Sequence, residues 1–221
     1  MTSMAVAAFF DFDQTLLEVE SGHMGIRMLR ERGMLPAGYF LKVWLANVFY
    51  RWQWLSEAGM ARVLLTYYRR RRLSDFEATA EDFYLAYLKP RLAPRILARV
   101  EEHRRAGHLL VLISGSVRYM LEPVVRDLCF DRLYCTELEE GPDGLLTGRS
   151  RGAICVDRTK QVYARQYAME AAVDLAASFA YGNHPADLPM LEAVGHPYVV
   201  EPNRALARVA AQRDWPVLSF R

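Results

Sequence analysis

Two carboxylates follow directly after a short run of apolar residues near the start of the chain. Asp11 and Asp13 come after residues 5–10, and Thr15 lies two positions beyond Asp13. Two acids this close repel each other, and each is costly to remove from water. Such a pair can supply a nucleophile and a proton donor, or bind a hard cation, if positive charge lies opposite it. The chain must therefore bring compensating groups to this place.

Polar residues also follow other apolar segments of the chain. They are Ser114, Gly115 and Ser116 after "LLVLI", Lys160 at the head of a predicted helix, and Gly182, Asn183 and Asp187 after "SFAY". Ligands bind at the carboxyl edge of open α/β sheets, so we expect these groups to lie together. Acids, a hydroxyl, an ammonium and amides in one place could bind a phosphate and a hard divalent cation at once.

The pattern of apolar residues predicts a sheet protein with a helical insertion after its first strand. From about residue 20 to residue 88, apolar residues recur every three or four positions, which predicts about four helices, with Ser74 as one N-cap. Beyond residue 90, predicted strands alternate with helices. The fold class is therefore α/β, with a Rossmann-like, doubly wound, mostly parallel core and an inserted α-helical cap. We predict a core of residues 1–18 and 90–221 and a cap of residues 19–89.

The composition is that of a soluble globular protein. The chain has 221 residues, of which 52% are hydrophobic and 24% charged. A net charge of +2 gives no general attraction to nucleic acid or to acidic membranes. Three cysteines without CxxC spacing suggest neither a disulfide framework nor a zinc site. Without a recognisable signal peptide, a reducing, cytoplasmic setting is predicted, and the oligomeric state is left open.

Residues 38–55 come nearest to a membrane span. Lys42, Asn47 and Arg51 interrupt this segment, so an uncharged span of about 20 residues is absent and no stable membrane insertion is predicted. We predict a partly buried helix, with a surface-lying amphipathic helix as the alternative. The aromatic residues at 39–54 are predicted to form the core of the cap or, alternatively, to line a substrate pocket. The run "YYRRRR" at residues 67–72 is predicted to be a solvated face, with contact to an acidic substrate or to anionic lipid as alternatives.

The motifs resemble those of a known enzyme family. "DFDQT", "SGS", a lone downstream lysine and "GNHPADLPM" occur in the order of the four motifs of the haloacid dehalogenase (HAD) superfamily of phosphohydrolases. The resemblance covers about residues 5–202, and the helical insertion between the first two motifs is similar to that of the phosphoserine phosphatase-like branch. It implies a Mg²⁺-dependent phosphatase that acts on a small phosphorylated metabolite through an aspartyl-phosphate.

The resemblance also implies catalytic roles. Asp11 would be the nucleophile. Asp13 would protonate the leaving oxygen and later take a proton from water, for which it must hold a proton near neutral pH. Thr15 would orient the two acids and belong to the phosphate-binding group, and Lys160 would neutralise charge on the phosphoryl group and on Asp11.

Substrate binding would fall to three further residues. Ser114 and the amide of Gly115 would donate hydrogen bonds to the phosphoryl oxygens. Glu20 matches in position an acid that phosphoserine phosphatases use toward the substrate's amino group, and its alternative is an acid at the start of a helix. Phosphoserine is therefore the favoured substrate, with histidinol phosphate or a glycerol- or lipid-type phosphate as alternatives. A phosphate-accepting module without turnover is a competing class, but the helical insertion and the second carboxylate disfavour it.

A magnesium ion would bind to Asp11, to the main-chain carbonyl of Asp13 and to Asn183, with water completing the octahedron. Asp187 would orient a metal-bound water or pair with the lysine, although the sequence leaves open which of Asn183 and Asp187 is the direct ligand. Asn183 stands where the family often has aspartate, which predicts weaker Mg²⁺ binding. Gln14 stands where glycine is common, which should alter only the turn. His184 has no predicted role.

Overall fold

The computed structural model describes residues 4–52 and 54–221. Residues 1–3 of the predicted core and Gln53 of the predicted cap lie outside the described residues. One strand, a helical segment and then alternating strands and helices follow in chain order. The strands are β1 (Ala7–Phe10), β2 (Leu109–Val117), β3 (Arg132–Thr136), β4 (Leu138–Glu140), β5 (Leu146–Ser150), β6 (Phe179–Gly182), β7 (His196–Val200) and β8 (Val217–Leu218). The helices are α1 (Ser21–Glu31), α2 (Ala37–Arg51), α3 (Glu57–Leu65), α4 (Leu73–Phe83), α5 (Pro94–Arg105), α6 (Arg118–Asp127), α7 (Arg158–Glu170), α8 (Leu188–Leu191) and α9 (Arg204–Gln212).

Six strands form a parallel sheet in the order β3-β2-β1-β6-β7-β8, with β1 near its centre. Alternate residues of β1 belong to separate apolar clusters: Ala8 and Phe10 to one, Ala7 and Phe9 to the other. Successive side chains of a strand point to opposite faces, so both faces of the sheet are covered. This explains the continuous apolar run of β1 and confirms the predicted doubly wound α/β fold. The order of the strands reverses at β1, which is where such sheets bind ligands.

Four helices, α1 to α4, lie between β1 and α5, as the periodicity predicts. Short turns of helix at Thr66–Tyr68, Tyr84–Leu88 and Lys89–Arg91 complete this helical segment. The prediction of Ser74 as an N-cap is wrong, because α4 begins at Leu73 and its N-cap position is Arg72. Sequence patterns fix helix ends only to within one or two residues. The division into a core and a cap domain stays a prediction.

The later elements agree with the sequence pattern and extend it. The turn-rich stretch after residue 140 forms a hairpin, since β4 and β5 pair antiparallel. Helix α9 and strand β8 were not predicted. Asn203 caps α9 by accepting hydrogen bonds from two main-chain amides, and β8 adds the outermost strand beside β7.

Helix α2 is less buried than predicted. Only Val43 and Ala46 of this helix are buried, while Tyr39, Asn47 and Tyr50 line a cavity described below. The prediction that this segment forms the core of the cap is therefore wrong for most of its residues. The alternative, that it lines a pocket, holds for its inward side. Eight large apolar side chains on α2 and just beyond its C-terminal end, which we call the aromatic face of α2, are exposed to solvent. They are Phe40, Leu41, Trp44, Leu45, Val48, Phe49, Trp52 and Trp54. Within the described residues, no helix has both the length and the apolarity needed to cross a bilayer.

Two histidines, His103 and His108, lie close together near the end of α5. His103, on α5, is buried, and its Nδ1 lies 2.8 Å from Nδ1 of His108. Its Nε2 lies 2.8 Å from the hydroxyl of Tyr181 on β6. Burial, and then the charge of His108, lowers the pKa of His103 to about 4. The buried ring is therefore neutral at pH 7.

We expect this neutral ring to make stability depend on pH. Its folded pKa of about 4 lies below the ordinary value of 6.5, so the unfolded chain binds the extra proton first. Stability is then greatest above pH 6.5 and falls as the pH drops toward 4. The expected loss is about 1–2 kcal/mol after allowance for solvent screening.

Urea unfolding of wild type and of His103→Gln between pH 7 and pH 5 measures this effect. The variant is expected to show a shallower fall in unfolding free energy with decreasing pH. The same substitution at exposed His196 is the control. Equal slopes for wild type and His103→Gln would contradict the assignment.

Candidate active site

A buried lysine lies between two carboxylates at the carboxyl edge of the sheet. Asp11 follows β1, Lys160 is in the first turn of α7, and Asp187 is in the turn after β6. The ammonium of Lys160 donates to Oδ1 of Asp11 and to Oδ1 of Asp187, both at 2.5 Å. The three residues are 5%, 5% and 0% exposed, respectively. Three segments far apart in sequence thus meet at one point, as the sheet-edge argument predicts.

The cluster carries more negative than positive charge. Burial, and then the charge of Asp187, raises the pKa of Asp11 despite the opposing effect of Lys160. Burial alone would lower the pKa of Lys160, but the carboxylates of Asp11 and Asp187 raise it well above its usual range. Lys160 therefore stays protonated. With both carboxylates ionised, one negative charge is uncompensated, and a bound cation would balance it.

Asp13 is held by two hydroxyl-bearing residues, one in the helical segment and one in the sheet. Its Oδ1 accepts a hydrogen bond from the main-chain amide of Ser21, the first residue of α1, at 2.5 Å. Its Oδ2 accepts from the hydroxyl of Ser116 on β2, at 2.7 Å. The two serine hydroxyls lie 2.7 Å apart. The sequence analysis predicted this role for neither serine. Ser116 could have been identified as the second serine of "SGS", whereas Ser21 belongs to no motif.

Of the two other predicted hydroxyl residues, Thr15 contacts the carboxylate–lysine cluster and Ser114 does not. Thr15 donates to Oδ2 of Asp11 at 3.2 Å, which supports its predicted orienting role. Ser114 is fully buried, and its Oγ accepts from the amide of Ser116 at 3.1 Å. Gly115 and Ser116 line the cavity, whereas Ser114 is not among its lining residues. The phosphate-binding role of Ser114 stays a prediction.

Gln14 does more than alter a turn. Its φ of +53° is in the left-handed region that favours glycine, which accounts for glycine being common there in the family. Its side chain donates to Glu20 at 2.7 Å, and its Oε1 lies at the long limit of a hydrogen bond, 3.5 Å, from Nδ2 of Asn183. Glu20 also lies 3.1 Å from Nδ1 of His23. The glutamine thus connects the predicted substrate acid with the predicted metal ligand.

The hydrogen bonds favour Asn183 over Asp187 as a metal ligand. Oδ2 of Asp187 accepts from the main-chain amides of Asn183 and His184, both at 3.0 Å, while its Oδ1 accepts from Lys160. Both oxygens of Asp187 are therefore occupied. The amide nitrogen of Asn183 faces Gln14, which leaves its carbonyl oxygen for a cation.

The donor set fits a hard cation only when main-chain and amide oxygens are included. Within residues 4–52 and 54–221, no three or more His, Cys, Asp or Glu side chains are grouped so as to hold a metal. Asp11 and Asn183 could each supply a side-chain oxygen, and Asp13 a main-chain carbonyl. Oxygen ligands with only one charge among them suit Mg²⁺, which keeps several waters and takes phosphate oxygens.

His184 connects the site to the helical segment. Its Nδ1 accepts from the amide of Ala186 at 3.2 Å, so in the neutral ring the proton is on Nε2. Nε2 lies 3.4 Å from the hydroxyl of Tyr50 on α2, which in turn donates to Glu57 on α3. The loop that holds Asn183 and Asp187 therefore contacts α2 and is connected through Tyr50 to α3.

These residues share a cavity of about 440 Å³ between the sheet edge and the helical segment. Its polar lining includes Asp11, Asp13, Glu20, Lys160, Asn183 and Asp187. Apolar and aromatic side chains of α1, α3, α4 and α6 form much of the remaining wall. Among them are Ile26, Leu29, Leu64, Phe76 and Tyr119. A cavity of this size can enclose a small organic molecule.

A buried carboxylate–lysine cluster thus lies at the switch point of a doubly wound α/β sheet, beneath a helical segment, which is where such sheets carry their active sites. The chain belongs to the haloacid dehalogenase-like hydrolase family, whose model matches residues 8–192. The predictions of family and of a hydrolytic enzyme are thus confirmed.

Similar proteins agree with this assignment. Histidinol-phosphatase of Neisseria meningitidis serogroup C (strain 8013) is 27% identical over 97% of this chain and 98% of that protein. A Bordetella pertussis Tohama I protein of unknown function has a TM-score of 0.86 at 24% identity, over 99% of this chain and 100% of that chain. A phospho-aspartyl intermediate analogue of phosphoserine phosphatase has a TM-score of 0.72 at 16% identity, over 99% and 95% of the two chains. The two structures share the fold of this chain.

Proposed function

We propose that this protein is a Mg²⁺-dependent phosphomonoesterase that hydrolyses a small phosphorylated metabolite through an aspartyl-phosphate. The observation that carries the proposal is Lys160, whose ammonium contacts both Asp11 and Asp187 at 2.5 Å in a cavity that Asp13 also lines. Phosphoryl transfer needs a positioned nucleophile, positive charge beside the phosphoryl oxygens and a proton donor for the leaving group. This cluster contains all three kinds of group.

In the first step, a carboxylate oxygen of Asp11 attacks phosphorus while the bond from phosphorus to the alcohol oxygen breaks. Asp13 gives its proton to that leaving oxygen, and the ammonium of Lys160 balances charge on the phosphoryl group. In the second step, water attacks phosphorus and passes a proton to Asp13, which releases phosphate and restores Asp11. A Mg²⁺ ion held by Asp11, Asp13 and Asn183 would supply further positive charge beside the phosphoryl oxygens.

Phosphoserine is the first candidate substrate, because Glu20 could bind its amino group. This acid lines the cavity and already has polar partners in Gln14 and His23. Burial raises the pKa of Glu20. An ammonium group of the substrate beside this carboxylate would oppose that effect and favour its ionised form. Histidinol phosphate is the second candidate, and the similarity to a histidinol-phosphatase supports it.

The cavity wall supports a third candidate, a phosphate whose organic part is less polar than serine. Leu29, Leu64 and Phe76 contribute apolar wall that a compact, doubly charged amino acid would leave uncovered. A glycerol- or lipid-type phosphate would cover more of it.

Phosphate release from phosphoserine, histidinol phosphate, glycerol 3-phosphate and a short alkyl phosphate, each with Mg²⁺, tests the proposal. We expect at least one of them to be hydrolysed, with activity lost on chelation. Stable phosphorylation of Asp11 without released phosphate would instead favour the phosphate-accepting module.

Replacing Asn183 with aspartate is expected to lower the Mg²⁺ concentration for half-maximal activity by about tenfold, because the ion gains an anionic ligand. Titration of activity with Mg²⁺ measures it. Asn203→Asp adds the same charge at another residue that lines the cavity, where aspartate can still cap α9. An unchanged Mg²⁺ dependence in Asn183→Asp, or an equal shift in the control, would remove Asn183 from the ligand set.

A further inference from the structure

The aromatic face of α2 is a continuous apolar surface on the outside of the protein. Trp52 and Trp54 are 69% and 75% exposed, and their ring centres lie 6.1 Å apart. The ring of Phe49 lies 6.0 Å from that of Trp54. The other members recur along the outward side of α2 with helical spacing. Three of the four tryptophans in the chain are on this surface. Soluble monomers rarely expose apolar patches of this kind without a partner.

Exposed basic residues lie on the same helix and in the sequence on either side of it. Lys42 and Arg51 are exposed on α2, and Arg30 and Arg32 are exposed at the end of α1. Residues 32–56 contain no acid. Between residues 32 and 72 there are eight basic residues and one acid, a net charge of +7, although the whole chain carries only +2. The rest of the chain is therefore net negative, and the basic charge is concentrated around the helical segment.

We propose that the aromatic face of α2 docks on the surface of an anionic lipid bilayer. Tryptophan and phenylalanine favour the boundary between lipid headgroups and acyl chains. Lysine and arginine beside them are attracted to anionic headgroups. This positive charge favours a lipid surface over a second copy of the chain, since two copies would bring like charges together.

The geometry of α2 fits a helix that lies in the plane of the interface. Its 15 residues span about 22 Å, which is shorter than the hydrocarbon core of about 30 Å. Tyr39, Asn47 and Tyr50 on its other side line the cavity. A docked α2 would therefore hold the cavity beside the membrane surface, within reach of phosphorylated molecules there.

Vesicle co-sedimentation tests the proposal. Wild type is mixed with phosphatidylcholine vesicles alone and with vesicles that also contain about 30 mol% phosphatidylglycerol. We expect clear binding only to the anionic vesicles, and partial retention of that binding at high salt. Trp44→Ser/Trp52→Ser is expected to bind at least about tenfold more weakly. Lys42→Gln/Arg51→Gln is expected to bind several-fold more weakly and to show a weaker salt dependence, since six of the eight basic residues remain.

The matched control is Val162→Ser/Met169→Ser, which removes two exposed apolar side chains from α7. It is expected to bind as wild type does. Far-ultraviolet circular dichroism and hydrolysis of a soluble phosphomonoester verify that each variant is folded. Absence of binding by wild type, or an equal loss in the control, would overturn the proposal. So would a dimer in sedimentation velocity that the tryptophan variant dissociates, without any binding to vesicles, since a second copy would then cover this face.

Discussion

Replacing Asp11 with asparagine is expected to lower kcat by about 10⁴-fold or more while the protein stays folded. An amide oxygen is a poor nucleophile toward phosphorus, so no aspartyl-phosphate can form. The fold should survive because Lys160 keeps its bond to Asp187 at 2.5 Å. The substitution also removes one of the two carboxylates that share this ammonium, so the thermal midpoint should not fall.

Steady-state release of phosphate, with a substrate found in the panel above, measures the loss. Acid quenching of wild type during turnover should trap phosphate on Asp11, and the variant should trap none. Asp143→Asn, in the turn of the β4–β5 hairpin, is the matched control. If Asp11→Asn kept activity within about tenfold of wild type, Asp11 would not be the nucleophile.

Replacing Lys160 with methionine is expected to lower both activity and stability. Two buried carboxylates would lose their common partner, and an uncompensated buried charge costs about 3–5 kcal/mol. The loss of positive charge beside the phosphoryl oxygens should lower kcat by about 10³-fold. Urea unfolding without divalent ions measures the first effect, and phosphate release the second.

A second substitution separates the two effects. Asp187→Asn in the Lys160→Met background removes one of the two stranded carboxylates, and its oxygen can still accept from the amides of Asn183 and His184. The double variant is expected to regain part of the lost stability but none of the lost activity. A Lys160→Met variant as stable as wild type would show that the three side chains are not coupled.

The sequence was sufficient to predict the ends of strands but not the network that connects them. Asp11, Lys160 and Asp187 could be assigned to one sheet edge because each follows or begins a recognisable element of a parallel sheet. The contact of Ser21 with Asp13 could not be predicted, because it depends on the path that the chain takes from β1 into α1. Ser114 was selected by its position in a motif, whereas orientation at the end of β2 brings Ser116 to the cavity.

The side of α2 that is buried could not be predicted from the sequence either. Helical periodicity identifies α2 correctly, but an apolar residue on every face gives no signal for which face packs inward. The structure places small Val43 and Ala46 inside and leaves Trp44 and Phe49 outside. The pairing of His103 with His108 was missed for a different reason, because a five-residue separation across a helix end is not a standard contact distance.

The two hydrogen bonds to Asp13 come from different parts of the fold, one from α1 in the helical segment and one from β2 in the sheet. A swing of the helices away from the sheet would stretch the bond to Ser21 and leave that to Ser116 intact. Asp13, the proposed proton donor, would then keep both hydrogen bonds only while the helical segment is closed over the sheet. Entry of a substrate and the orientation of Asp13 would therefore be coupled.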